Sequence, residues 1–171
     1  MTVQELMTGI TPSASYEGIA TNDDFVLAID ISADGDGDDP KDYAVFAEGV
    51  TSQDAQLETE SDDKTYLHKG RRTLKTSTQR TFNISGDRAI GEDVLDFIMS
   101  HSIKYGVGQA VIRNYVYFCT LTGKGETGKV SIIVNSDGNG DAGATAEIDV
   151  DVKAVGVPTE YTYSASAGTG G

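Results

Sequence analysis

One stretch of this chain alternates so regularly that it admits a single kind of element. Ala146, Ile148, Val150, Val152 and Ala154 take every second position, and Glu147, Asp149, Asp151 and Lys153 fill the gaps. Successive side chains of a β-strand point to opposite faces, so this segment is a strand with one dry face and one wet face. The same period runs through residues 25–31, where Phe25, Leu27, Ile29 and Ile31 share a face, and through residues 79–85, where Arg80, Phe82 and Ile84 oppose Gln79, Thr81 and Asn83. Residues 43–50 and 129–135 read as further strands. Residues 110–120 (AVIRNYVYFCT) are apolar on both faces and rich in β-branched and aromatic side chains, which suits a central strand. Glycine-rich segments at 123–128 and 136–141 supply the positive φ that tight hairpins need. Residues 108–157 therefore read as a three-stranded antiparallel meander.

One helix is expected, over residues 90–101. Ile90, Val94, Leu95, Phe97 and Ile98 form an apolar stripe, and Glu92 and Asp93 sit in the first turn, where carboxylates favour the helix dipole. So short a helix needs a sheet to pack on. A length of 171 residues fits one domain. The expected fold class is mainly β: a β-sandwich or barrel-type subunit of antiparallel sheets over residues 25–157, with one short flanking α-helix. A long acidic loop at 33–63 and extended terminal arms at 1–24 and 158–171 complete it.

Charge is segregated along the chain. Residues 1–63 hold 16 acids and one base, Lys41, whereas residues 64–80 hold six bases and no acid; the whole chain carries a net charge of −14. Such a balance argues against gripping nucleic acid, which requires Lys and Arg at phosphates. An acidic section followed by a basic stripe can pair within one subunit or between neighbours. No apolar run approaches the roughly 18 residues of a membrane span. The first ten residues carry no Lys or Arg before their short apolar stretch, so they do not read as a secretory signal. A lone cysteine, Cys119, excludes an intrachain disulfide and suits a reducing compartment.

No motif points to catalysis or a cofactor. Asp34, Asp36 and Asp38 have the spacing of a calcium loop, but Asp39 stands where glycine is needed and Val45 where a bidentate Glu is needed. Asp137, Asn139 and Asp141 fail the same way at Ala142 and Ile148. His68, His101 and Cys119 lack the spacing of a zinc site. Gly123 to Lys129 lacks the spacing and following helix of a phosphate-binding loop.

The order strand, short helix, strand, strand, strand across residues 79–157 resembles the major tail tube proteins of long-tailed bacteriophages. The resemblance lies in FNISGDR at 82–88, DVLDFI at 93–98, YVYF at 115–118 and AEIDVDV at 146–152, and covers about half the chain. It implies a non-enzymatic virion protein, assembled in the host bacterial cytoplasm. Six subunits would form a ring, and rings would stack into a hollow tube through which DNA passes without specific binding. Its partners would be other copies of itself and further tail proteins such as the tape measure, terminator and distal tail proteins. On that reading Asp34, Asp36, Asp38 and Asp39, with Lys69, Arg71 and Arg72, are candidates for contacts between subunits and rings. Glu147, Asp149 and Asp151 are candidates for lining the lumen. The alternative is a β-sandwich decoration or adhesion module binding a host surface.

Overall fold

The alternating segment becomes the longest-range organiser of the fold. In a computed structural model, described here for residues 1–165, it forms β7 (Glu147–Thr162), with Ile148, Val150 and Val152 buried. The chain runs through α1 (Val3–Leu6), β1 (Phe25–Ile29), β2 (Ala44–Val45), β3 (Val50–Tyr66), β4 (Gly70–Asp87), α2 (Asp93–Ile98), α3 (His101–Lys104), β5 (Ile112–Cys119), β6 (Lys124–Asn139) and β7. The strands form one antiparallel sheet in the order β2-β1-β5-β6-β7-β4-β3. The mainly β expectation holds, as does the meander, which is β5-β6-β7. The layers of the subunit are the two ends of this single sheet.

The sheet curls. Phe82 on β4 meets Tyr117 on β5 edge-on at 5.0 Å between ring centroids, and Tyr115 at 5.8 Å. Two strands, β6 and β7, separate β4 from β5 in the hydrogen-bonded order, so the rings meet only because the sheet bends around them. The enclosed face gathers Leu27, Ile29, Phe82, Ile84, Val130, Val150 and Val152 with Val94, Leu95, Ile98 and Ile103 of α2 and α3. The far edges also approach: Asn22 Nδ2, just before β1, donates to the Gln53 carbonyl on β3 at 3.1 Å.

The opposite face is divided. Across β1 and β5 it carries Val26, Ala28, Val116 and Phe118, covered by Val3 and Met7 from the N-terminal segment and by Tyr163. Phe118 stacks on Tyr163 at 5.7 Å. Thr2 caps α1 reciprocally with Glu5, which lets so short a helix persist. The expected terminal arms are thus partly docked: α1 lies on the sheet, and residues 158–162 continue β7 against β6. Apolar anchors at both ends supply the reason. Residues 166–171 of the expected C-terminal arm lie outside the described residues.

Two other expectations are corrected. The single helix at 90–101 is two helices, α2 and α3, separated at Met99 and Ser100. Ser100 adopts extended backbone and its Oγ donates to the Phe97 carbonyl at 2.6 Å, which ends the first helix. The loop at 33–63 is shorter: β2 (Ala44–Val45) interrupts it, and from Val50 onward the chain is strand, because β4 runs back alongside it from Gly86 to Gly70.

Phe82 is almost fully buried at 1% exposure and touches both tyrosines. Phe82→Ala should lower unfolding free energy by about 3–5 kcal/mol, read as a lower denaturation midpoint in urea.

Candidate functional site

Three surfaces carry the charged side chains singled out in the sequence. The first is the uncovered half of the outer sheet face. Glu147, Asp149, Asp151 and Lys153 stand there in alternation with the buried positions of β7. Strand register sets Asp151 beside Asn83 of β4 and Ile133 of β6, and Asp149 beside Ser85 and Ser136. Asp54 and Gln56 of β3 extend the rows, opposite Asn83 and Thr81. The three acids named from the sequence therefore do share a face.

Asparagines organise these acids. Asn83 Nδ2 donates to Asp149 Oδ1 at 2.9 Å and to Asp151 Oδ1 at 2.7 Å, and Asn135 Nδ2 donates to Asp151 Oδ2 at 2.8 Å. These bonds, Asn83 first and Asn135 second, hold the Asp151 carboxyl below its ordinary range and outweigh partial burial. Asp149 and Asp151 are thus held in place on this face. Asn83 and Asn135 were not singled out in the sequence, although Asn83 stood among the polar positions of an alternating segment.

The second surface is an arm. β4 pairs with β7 only from Thr81 onward, so residues 70–80 pair with β3 alone. Ten pairs, from Leu57–Arg80 to Tyr66–Gly70, form a two-stranded ribbon about 33 Å long at the rise of a strand. Lys69, Arg71 and Arg72 lie at its far end; Arg71 pairs with Asp63 of its own ribbon. Leu57, Tyr66, Leu67 and Leu74 are exposed on it. Isolated two-stranded hairpins are marginal in water, so this one needs support from outside its subunit.

The root of the arm is fixed firmly. Arg80 lies over the rings of Phe82 and Tyr117, at 5.3 and 5.0 Å, and its Nε donates to Glu126 Oε1 at 2.6 Å. Tyr115 Oη donates to the same oxygen at 3.0 Å. Burial, then the Glu126 charge, pushes the Tyr115 phenol well above its ordinary range, so it stays a donor.

The third surface is the acidic loop between β1 and β2. Asp30, buried at its root, accepts from the Ser32 and Gly37 amides at 2.9 and 2.7 Å. Burial pushes its carboxyl up, but the hydrogen bonds from Ser32 and Gly37, with the Arg113 charge, outweigh it and hold the group low. Tyr43 Oη donates to the Gly37 carbonyl at 2.8 Å. A side chain at Gly37 would press on the Asp30 carboxylate, and one at Gly35 on the Arg113 guanidinium. The glycines therefore turn inward while Asp34, Asp36, Asp38 and Asp39 are exposed. Among the described residues, no ion pair joins these acids to Lys69, Arg71 or Arg72. No three His, Cys, Asp or Glu side chains among them are placed to hold a metal ion.

Comparison with solved structures supplies a context for this geometry. A chain in the tail of an empty gene transfer agent particle, solved by helical refinement with C6 symmetry, superposes with a TM-score of 0.57 at 14% identity, covering 85% of this chain and 100% of that one. A chain of the native gene transfer agent virion gives 0.56 at 13% identity over 84% and 100%. A chain of the sheath–tube complex of an extracellular contractile injection system in its extended state gives 0.52 at 12%, over 88% and 95%. This chain shares the fold of those particle components. No protein-family model matches the sequence, and no curated protein matches it.

Hydrogen-bonded Asp151 contributes stability that is complete above its ordinary pKa of 3.8 and is lost as pH falls through its lower folded value. In Asn83→Ala the Asp151 midpoint, followed by carboxyl NMR, should rise toward the ordinary value, and the variant should lose less stability than wild type between about pH 5 and 2.

Proposed function

We propose that this chain is a self-assembling structural subunit of a phage-type tail tube. The observation that carries the reading is the arm: a ribbon of ten residue pairs, held at its root, with no third strand beside it in its own subunit, on a fold shared with components of tailed particles. An element of that length, with exposed leucines along it, is stable only when a neighbouring copy covers it.

The assembly follows the resemblance: six subunits to a ring and rings stacked into a tube. The C6 symmetry of the gene transfer agent tail supports the same count. A ring contact is heterologous and joins two different surfaces, so opposite charges on separate parts of one chain suit it. The arm cations Lys69, Arg71 and Arg72 meet acids of an adjacent copy. The pinned loop presents Asp34, Asp36, Asp38 and Asp39 toward the next ring.

The uncovered acidic sheet face lines the lumen. Glu147, Asp149 and Asp151 repel phosphates, so DNA slides where a basic wall would grip it. The subunit performs no chemistry, and assembly partners beyond itself are the other tail proteins that cap and measure the tube.

Purified protein viewed by negative-stain microscopy should show hollow rods or stacked rings. Arg71→Glu with Arg72→Glu should leave circular dichroism and the monomer mass unchanged while abolishing rods. Rods of normal length from that variant would exclude the arm as an assembly element.

A further inference from the structure

Charge on the arm is sorted by strand. The β3 side, residues 57–66, carries Glu58, Glu60, Asp62 and Asp63 against one Lys64; the β4 side, residues 70–80, carries Arg71, Arg72, Lys75 and Arg80 with no acid. The ribbon's own register does not use most of this. Glu58 stands opposite Gln79, Glu60 opposite Ser77, Lys75 opposite Ser61, and Arg72 opposite Lys64. Only Asp63 reaches a β4 cation, Arg71, while Asp62 pairs with Lys64 on its own strand at 3.8 Å. Cross-strand neighbours of opposite sign stabilise a ribbon and like charges destabilise it, so a ribbon built for its own stability would mix the signs.

The two edges of the ribbon are also open. β3 is the terminal strand of the sheet, and β4 has no second neighbour along residues 70–80. Neither stretch contains a proline, and a long unprotected edge is a template for another strand. We propose that the arms of adjacent copies pair edge to edge, the acidic β3 of one copy against the basic β4 of the next. This rests on the self-assembly reading and specifies its contact. Arms related by rotation about a common axis point the same way, which sets β3 of one copy antiparallel to β4 of its neighbour. Glu58 and Glu60 then face a strand bearing Lys75 and Arg72. Two β3 edges, or two β4 edges, would oppose like charges, so head-to-head pairing is rejected and the ring acquires one direction.

A pair of complementary variants tests this. Glu58→Lys with Glu60→Lys turns the β3 edge net basic, like the β4 edge it must meet; Arg72→Glu with Lys75→Glu removes the net positive charge of the β4 edge and puts glutamates where Glu58 and Glu60 of the next copy require cations. These sites lie opposite neutral residues or, for Arg72, a lysine, so neither change opposes like charges within the ribbon, and circular dichroism should match wild type. Each variant alone should sediment as a monomer and show no rods. An equimolar mixture should form rods containing both chains in equal amounts. A chain carrying all four changes should assemble with itself and stay out of wild-type rods. Rods from either variant alone, or wild-type rods together with a mixture of folded variants that stays monomeric, would overturn the edge pairing while leaving the tube reading intact. Wild-type protein that stays monomeric at high concentration would overturn both.

Discussion

Phe82 and Tyr117 stand on strands that are separated by two others, and their rings meet. That contact obliges a seven-stranded sheet to bend around its own aromatic side chains. Bending decides everything else about the subunit. It seals one face as a dry interior, with α2 and α3 completing it. On the other face Val3, Met7 and Tyr163 pack over β1 and β5. The other half, bearing Glu147, Asp149, Asp151 and Lys153, has polar positions of its own and stays wet.

The three surfaces are held with different stiffness, and the means differ. Asparagine bridges fix Asp149 and Asp151 on the sheet face. A buried aspartate with inward-facing glycines shapes the loop. The arm has backbone pairing and little else along its length, since its side chains are exposed to solvent. A surface of fixed charge suits a wall past which something moves. A ribbon lacking apolar cover suits a joint completed by another molecule, where association replaces the missing core.

What could be read from the sequence follows the hydrophobic effect closely. The alternation at 146–154 and the meander were legible because each inward position is apolar. The arm was not. From Leu57 to Arg80 both faces are wet, so no period marks it, and its acids and lysines are residues that strands ordinarily avoid. The chain there is strand because of backbone pairing, which leaves no trace in hydropathy. The break at Ser100 was hidden too: it lies between buried Ile98 and buried Ile103, and neither Gly nor Pro marks it. The face carrying Glu147, Asp149 and Asp151 was legible, whereas the asparagines that order it are ordinary polar positions until register sets them beside the acids. The Gly-Asp-Gly-Asp run reads from sequence as part of an acidic loop, and the Asp30 and Arg113 side chains beneath it explain why two glycines are needed.

The guanidinium at the base of the arm has a mechanical consequence. Arg80 is gripped by two rings and a carboxylate that also holds Tyr115. A lever rooted in this way cannot swivel without dislodging the aromatic cluster that shapes the sheet. Movement at the base of the arm is therefore coupled to the interior of the subunit.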